Sequence, residues 1–198
     1  MIQLPDNPAP AACNFTLIDF GSTLRPQLGG AEQRINRGGS KVFLSVTMPP
    51  MENREQGRKF VSRLIRAKSE GLRMDYPLGG IEVGNPGAPE TANNNQIGSV
   101  LALTGFTPGY QLKEGQPFSI IDSNGYSYLH FIAEDATVDI GGSVSASIYP
   151  PLRELFNIGA SCNFLQPVIE GVVDGDDTEW SLSVDHILEI SFGVRERK

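Results

Sequence analysis

The sequence has little of what most metal and redox sites are built from. It contains only two cysteines, Cys13 and Cys162, and two histidines, His130 and His186, in 198 residues. Such sites need several of these side chains at close spacing, and no CxxC pair or His cluster occurs. We therefore expect no metal and no cofactor. Two buried, reduced thiols are expected, because small apolar thiols commonly fill protein cores.

Long apolar runs are also missing. No stretch of about 18 uncharged apolar residues occurs, and residues 1–10 have neither the basic nor the apolar region of a signal peptide. The sequence predicts a soluble chain that is made in the cytoplasm and has no membrane partner.

The motifs of common enzyme classes are absent as well. There is no P-loop, no GxGxxG and no GxSxG. His130 lies in a strand-like aromatic run, where a packed and hydrogen-bonded histidine is the expected interpretation. The acidic residues 174–177 indicate a solvated hairpin turn, because the spacing of an EF-hand is missing. No enzymatic activity is expected. The alternative, an enzyme, would need a pocket that joins His130 to a carboxylate and a hydroxyl.

Charge is unevenly distributed along the chain. The net charge of -7 argues against a specific nucleic-acid binder, because neutralising phosphates needs a basic surface. Residues 1–73 contain 11 of the 16 Lys and Arg but 6 of the 23 Asp and Glu, and residues 74–198 contain the others. A basic part and an acidic part in one chain favour head-to-tail association between copies.

Short strands dominate the predicted secondary structure. The 22 glycines and 14 prolines supply many turns. Residues 41–48 alternate between apolar and polar side chains, which predicts a half-buried strand that Pro49 and Pro50 end. The other strand candidates are residues 100–103, 117–121, 126–133, 144–149, 180–185 and 188–194.

One amphipathic helix is predicted at about residues 53–70. Asn53 is the expected N-cap and Gly71 the expected terminator. Its apolar stripe consists of Phe60, Val61, Leu64, Ile65 and Ala67.

The outer face of this helix is basic. Its cations include Arg54, Arg58, Lys59, Arg63 and Arg66. One interpretation is a solvated face; the other is a subunit interface in which these five residues meet an acidic patch of a neighbouring copy.

The layout predicts a discontinuous domain. Residues 76–98 are rich in Pro, Gly and Asn and are interpreted as a linker-like segment. We expect residues 1–75 and 164–198 to form one β-sandwich that carries the helix. Residues 76–163 are then a small inserted β-barrel, which is tolerated where loop ends lie close together at the surface.

Several phrases of the sequence form a familiar set. They are VTMPPM at 46–51, PGY at 108–110 with EGQPF at 114–118, YPPLR at 149–153, and WSLSVD at 180–185 with SF at 191–192. Together they resemble distal tail proteins of long-tailed, siphovirus-like bacteriophages and related minor tail proteins, from about residue 29 to the end.

The resemblance implies a structural protein of the virion tail tip. Such a protein forms a six-fold ring of β-sandwiches between the tail tube and the hub or tip proteins of the baseplate, around a lumen that conducts DNA. The inserted domain would have an oligonucleotide-binding-like barrel fold and face outward. The ring would also offer sites for receptor-binding proteins.

A second class of function stays open from the sequence. A carbohydrate-binding or host-adhesion module would need exposed aromatic side chains that form a platform for sugars. Tyr110, Tyr126 and Tyr128 are the candidates for such a platform.

Overall fold

The computed structural model describes residues 1–27, 29–35, 39–175, 180–182 and 187–197, and of residues 180–182 the backbone alone. The described part is mainly β, with a single helix. No helix among these residues has the length and apolar character needed to cross a membrane. His186 and residues 176–177, which the sequence singled out, lie outside the described residues.

In the described part of the chain, six strands precede the helix. They are β1 (Ile2–Gln3), β2 (Ala12–Ile18), β3 (Ser22–Leu24), β4 (Gln33–Ile35), β5 (Lys41–Thr47) and β6 (Met51–Glu52). The helix α1 comprises Glu55–Glu70.

Among the residues that the structure describes, twelve strands follow the helix. They are β7 (Leu72–Asp75), β8 (Gly87–Thr91), β9 (Gln96–Phe106), β10 (Gln111–Leu112), β11 (Pro117–Ile121), β12 (Ser127–Ile132), β13 (Ala136–Thr137), β14 (Val144–Phe156), β15 (Cys162–Asn163), β16 (Val168–Asp174), β17 (Trp180–Leu182) and β18 (Ile187–Glu196).

The larger sheet joins the two ends of the chain. Its strand order is β1-β7-β16-β18-β5-β2, and β6 and β17 also pair with β18. In β5 the predicted alternation is confirmed, because Val42, Leu44 and Val46 are buried while their neighbours are more exposed. The strands predicted near the C-terminus are found as β17 and β18, which pair antiparallel.

The helix packs on this sheet through its apolar stripe. Phe60, Leu64 and Ala67 are buried, and the Phe60 ring lies 6.1 Å from that of Phe192 in β18. Ile65 departs from the predicted stripe, because 51% of its side chain is exposed.

The start of the helix differs from the prediction. The N-cap is Arg54 rather than Asn53, and no side chain caps the helix. A backbone bond from the Arg54 N–H to the Glu52 carbonyl, 2.7 Å long, instead closes the turn before it. Gly71 ends the helix as predicted: its φ is 81° and its N–H donates to the Ala67 carbonyl.

The second sheet is a nearly closed barrel. Its order is β15-β11-β12-β14-β9-β8. A bridge between Glu90 and Ser161 brings its two edge strands together, and the Thr91 N–H donates to the Ala160 carbonyl at 3.0 Å. Inside the barrel the rings of Phe118 and Phe164 stack 4.6 Å apart.

The linker-like interpretation of residues 76–98 is wrong for its second half. Strand β8 and the start of β9 lie there and pair antiparallel. Gly87 and Gly105 serve this pairing, because a Cβ at Gly105 would lie 2.4 Å from the Ala88 carbonyl oxygen. These glycines permit close backbone approach at a bulge rather than a loop.

Two hydrophobic clusters fill the molecule. The first contains residues between 2 and 74 and between 169 and 194, together with Leu129 of the barrel. The second contains residues between 101 and 164. Both cysteines are free; Cys162 is buried, but Cys13 is only half-buried because it lies in the edge strand β2.

Replacing Gly57 by alanine tests how closely the helix packs. Glycine to alanine usually stabilises a helix interior. Here a Cβ would lie 2.6 Å from the Glu52 carbonyl oxygen and 2.8 Å from Leu188 Cδ1. Gly57→Ala should therefore lower the free energy of unfolding by about 1–3 kcal/mol in urea titrations. The exposed helical control Ser62→Ala should not destabilise, and equal behaviour of the two variants would contradict the close approach.

Candidate functional site

A buried carboxylate joins the barrel to the larger sheet. Glu196 ends β18, and only 1% of its side chain is exposed. Its Oε1 accepts the Leu129 N–H of β12 at 2.9 Å, and its Oε2 accepts the Val42 N–H of β5 at 3.1 Å. Arg153 of β14 donates to both oxygens, at 2.8 and 2.5 Å. Four strands from both sheets therefore meet at one charged group.

A second glutamate repeats this contact nearby. Glu170 of β16 is buried and its Oε2 accepts the Ser127 N–H of β12 at 3.0 Å. Its Oε1 pairs with Arg73 of β7. The Arg73 guanidinium also donates to the Gly125 carbonyl at 2.8 Å. Both carboxylates thus bind amides of the same barrel strand, and we call the four side chains Arg73, Arg153, Glu170 and Glu196 the junction.

The end of strand pairing explains why these amides need carboxylates. Strands β12 and β14 pair at Phe131 with Tyr149 and at Ile132 with Ile148, and the pairing does not continue to Leu129 and Ser127. Strand β14 therefore supplies no ladder acceptor for these two N–H groups. Buried N–H groups must still find acceptors. Glu170 and Glu196 supply them.

His130 lies beside the junction as a neutral, buried side chain. Its Nδ1 is 2.8 Å from the Pro150 carbonyl oxygen. A carbonyl only accepts, so Nδ1 carries the proton. Burial, and next the nearby charge of Arg153, lower the pKa of His130 to about 3. The His130 ring therefore bonds to a carbonyl. Among the described residues it makes no hydrogen bond to the carboxylate or the hydroxyl that the enzyme alternative needs.

A cleft opens next to the junction. It encloses about 250 Å³, and its lining includes Asp122, Asn124, Tyr126, Tyr128, Glu154 and Arg197. The Arg197 guanidinium lies 5.4 Å from the centre of the Tyr126 ring. Burial raises the pKa of Tyr128 to about 12.

Only part of the predicted sugar platform is brought together. Tyr126 and Tyr128 line this cleft. Tyr110 packs elsewhere in the barrel, where its ring stacks on Phe106 at 5.6 Å and its hydroxyl donates to the Val83 carbonyl at 2.7 Å.

The five predicted interface cations fall into two groups. Three pair with carboxylates of the same chain: Arg54 with Glu52, Lys59 with Glu55 and Arg66 with Glu70, at 2.8, 2.5 and 3.1 Å. The other two bond to backbone carbonyls: Arg58 to that of Arg54 at 3.4 Å and Arg63 to that of Gln3 at 3.0 Å. Within the described part of the chain, Arg58 and Arg63 are therefore the members of this set that form no ion pair with a carboxylate.

Part of the apolar face of the larger sheet, on strand β2, is not covered by other elements. In the register of β2 and β5, Phe15 lies opposite Leu44 and Leu17 opposite Val42, so all four side chains share the core face. Leu44 and Val42 are buried, whereas Phe15 and Leu17 are 47% and 43% exposed. We call Phe15 and Leu17 the open core face.

The edge of the sheet at β2 is also unprotected. On its far side β2 has no partner strand among the described residues, and its sequence ACNFTLI contains neither charge nor proline. Edge strands of soluble proteins usually carry such features because a bare edge recruits other chains.

Sequence reasoning missed the junction and the open core face. Glu196 carries a readable signal: Leu188, Ile190, Phe192 and Val194 occupy the buried register of β18, and Glu196 is the next position in that register. A carboxylate at a core position needs a partner. Glu170 and β2 carry no comparable signal, because their burial or exposure depends on which element lies against them.

Comparison with protein-family profiles finds no match for this chain, and comparison with curated protein sequences finds no significant relative.

Glu196→Gln tests the junction. The amide keeps the shape but removes the charge, so Arg153 stays buried without its counter-ion. The free energy of unfolding should fall by about 3–5 kcal/mol. Glu189→Gln, at an exposed position of the same strand, should change it little. A small and equal effect of both substitutions would show that the junction does not hold the fold.

The state of His130 gives a pH test. Its pKa is lower in the folded chain than the ordinary 6.5, so its contribution to stability is full above pH 6.5 and is lost as the pH falls towards 3. Long-range ¹H–¹⁵N NMR at pH 5 should show a neutral ring protonated at Nδ1. A titration midpoint near 6.5 would contradict this environment.

Proposed function

We propose that this chain is a structural component of a phage tail tip. It forms a ring, hexameric by the resemblance described above, that joins the tail tube to the hub and tip proteins around a DNA-conducting lumen. It acts in the virion after synthesis in the host cytoplasm, presents sites to receptor-binding proteins, and catalyses no reaction.

The open core face carries this proposal. Large apolar side chains left at the end of a continuous core face are costly to keep in water, and contiguous exposed patches mark protein interfaces. Phe15 and Leu17 lie on an uncharged edge strand. A second copy that covers this strand removes both the apolar exposure and the unpaired backbone edge.

The distribution of charge supports a ring rather than a symmetric pair. A heterologous contact joins two different surfaces of the chain and repeats until the rotation closes. Basic residues concentrate before residue 74 and acidic residues after it. The proposed subunit contact on the helix side uses Arg54, Arg58, Lys59, Arg63 and Arg66, among which Arg58 and Arg63 bond to backbone carbonyls rather than forming ion pairs within the described residues.

The finer fold assignment is part of the same proposal. We assign residues 1–75 and 164–198 to a β-sandwich-type ring domain and residues 76–163 to an inserted barrel of the oligonucleotide-binding type. Two hydrophobic clusters support this division, with Leu129 of the insert in the first cluster and Phe164 of the ring domain in the second. Strand order and near closure of the six-stranded sheet support a small barrel.

A carbohydrate-binding or adhesion role is the second candidate. The cleft beside the junction favours it, because two tyrosines and several polar side chains converge there. The aromatic surface that it offers is limited, since Tyr128 is buried.

Self-association of the purified chain tests the proposed ring. Size exclusion with light scattering should give a mass near six times 21.4 kDa at high concentration. Phe15→Ser combined with Leu17→Ser should shift the mass to that of a monomer, because the covered apolar surface is lost. Val172→Ser removes an equally exposed apolar side chain from β16 and should leave the mass unchanged. A wild-type monomer under every condition would contradict the self-assembling ring.

A further inference from the structure

A groove lies along the exposed side of the helix. Val61 and Ile65 of α1 and Leu188 of β18 form its apolar walls, and Arg58 and Arg66 stand at its rim. It encloses about 360 Å³, which gives room for an aliphatic side chain. Its apolar surface is open to solvent, because 51% of Ile65 is exposed.

The rim of this groove carries positive charge and therefore favours a negatively charged occupant. Arg66 is already paired with Glu70. Arg58 is exposed and bonds only to a backbone carbonyl within the described residues. An occupant that combines one aliphatic side chain with a nearby carboxylate therefore matches the groove in both shape and charge.

One turn of the barrel has these two properties. Ile140, between β13 and β14, is 98% exposed. It follows Asp139, and residues 134–140 contain three carboxylates and no cation. Asp139 is exposed and has no cationic partner among the residues that the structure describes.

The turn is held rigidly. Asp139 Oδ1 accepts the N–H groups of Gly141 and Ser143, both at 2.8 Å. The Asp139 N–H donates to the Ser143 carbonyl at 3.0 Å and the Gly142 N–H to the Asp139 carbonyl at 3.1 Å. A rigid loop loses little conformational entropy when it binds, so Ile140 is a prepared anchor.

We propose that the Ile140 turn of one copy docks into the helix groove of the next copy, with Ile140 against Val61 and Ile65 and Asp139 facing Arg58. The proposal rests on the proposed function, because it requires self-assembly. It assigns the basic surface of the helix a specific partner, the acidic barrel of a neighbouring subunit. Because turn and groove are different surfaces, the contact is heterologous and propagates around a ring.

Charge reversal on both sides tests this contact. Arg58→Glu alone and Asp139→Arg alone each place like charges together, so each should weaken self-association on the order of tenfold or more in sedimentation equilibrium. Glu114→Arg reverses an exposed carboxylate on another turn of the barrel and should leave association unchanged.

Mixing the two variants tests whether the two surfaces meet. In a ring of even order the two variants can alternate. The groove of the Arg58→Glu variant then faces the turn of the Asp139→Arg variant, so opposite charges meet, and every other contact pairs a native groove with a native turn. Recovery of association in an equimolar mixture would show that both variants are folded and that the two surfaces meet. Because Asp139→Arg also removes the hydrogen bonds from Gly141 and Ser143 that hold the turn, Arg58→Glu and Ile140→Ser are the decisive variants. Ile140→Ser should weaken association without any change in charge.

The outcomes separate this contact from the ring itself. If the wild-type chain assembles and neither Arg58→Glu nor Ile140→Ser differs from it, the docking contact is wrong while the ring stands. If the wild-type chain does not assemble, both are wrong.

Discussion

The carboxylate of Glu196 is the contact on which the arrangement of this protein depends. It accepts amides from β5 and β12 and pairs with Arg153 of β14 while almost fully buried. Burying two charges is costly, and the cost is offset only when geometry and additional hydrogen bonds satisfy both groups. Here the two amides and the bidentate guanidinium satisfy the Glu196 carboxylate, while the Arg153 Nε has no hydrogen-bond partner among the described residues. These directional bonds give the barrel one well-defined position against the sheet.

This constraint follows from an interruption in β-sheet pairing. The ladder between β12 and β14 ends at Phe131, and the Ser127 and Leu129 N–H groups donate to glutamates of the other sheet instead. Purely apolar packing between the two units would permit the barrel to slide against the larger sheet. The directional hydrogen bonds from the Ser127 and Leu129 N–H groups of β12 do not permit such sliding. In the proposed ring, such a fixed link would set the distances at which the surfaces of the two units meet their neighbours.

The sequence predicted the helix and several strands because their apolar periods are local. The structure confirms both periods: the apolar stripe of the helix around Phe60 and Leu64, and the alternation of Val42, Leu44 and Val46 in β5. The glycines of residues 87–105 misled the prediction, since glycine marks a loop and a close strand approach alike. The open core face could not be predicted, because Phe15 has the same pattern as a buried residue and only tertiary cover distinguishes the two. The junction was partly readable, through the position of Glu196 in the buried register of β18.

Electron microscopy of the purified chain at assembling concentration tests the central claim, that this protein closes into a ring around a lumen. The account predicts closed particles with six-fold symmetry and a central opening, in which the first strands and helix of each subunit contact the next. Open filaments, compact dimers without an opening or monodisperse single subunits would contradict it.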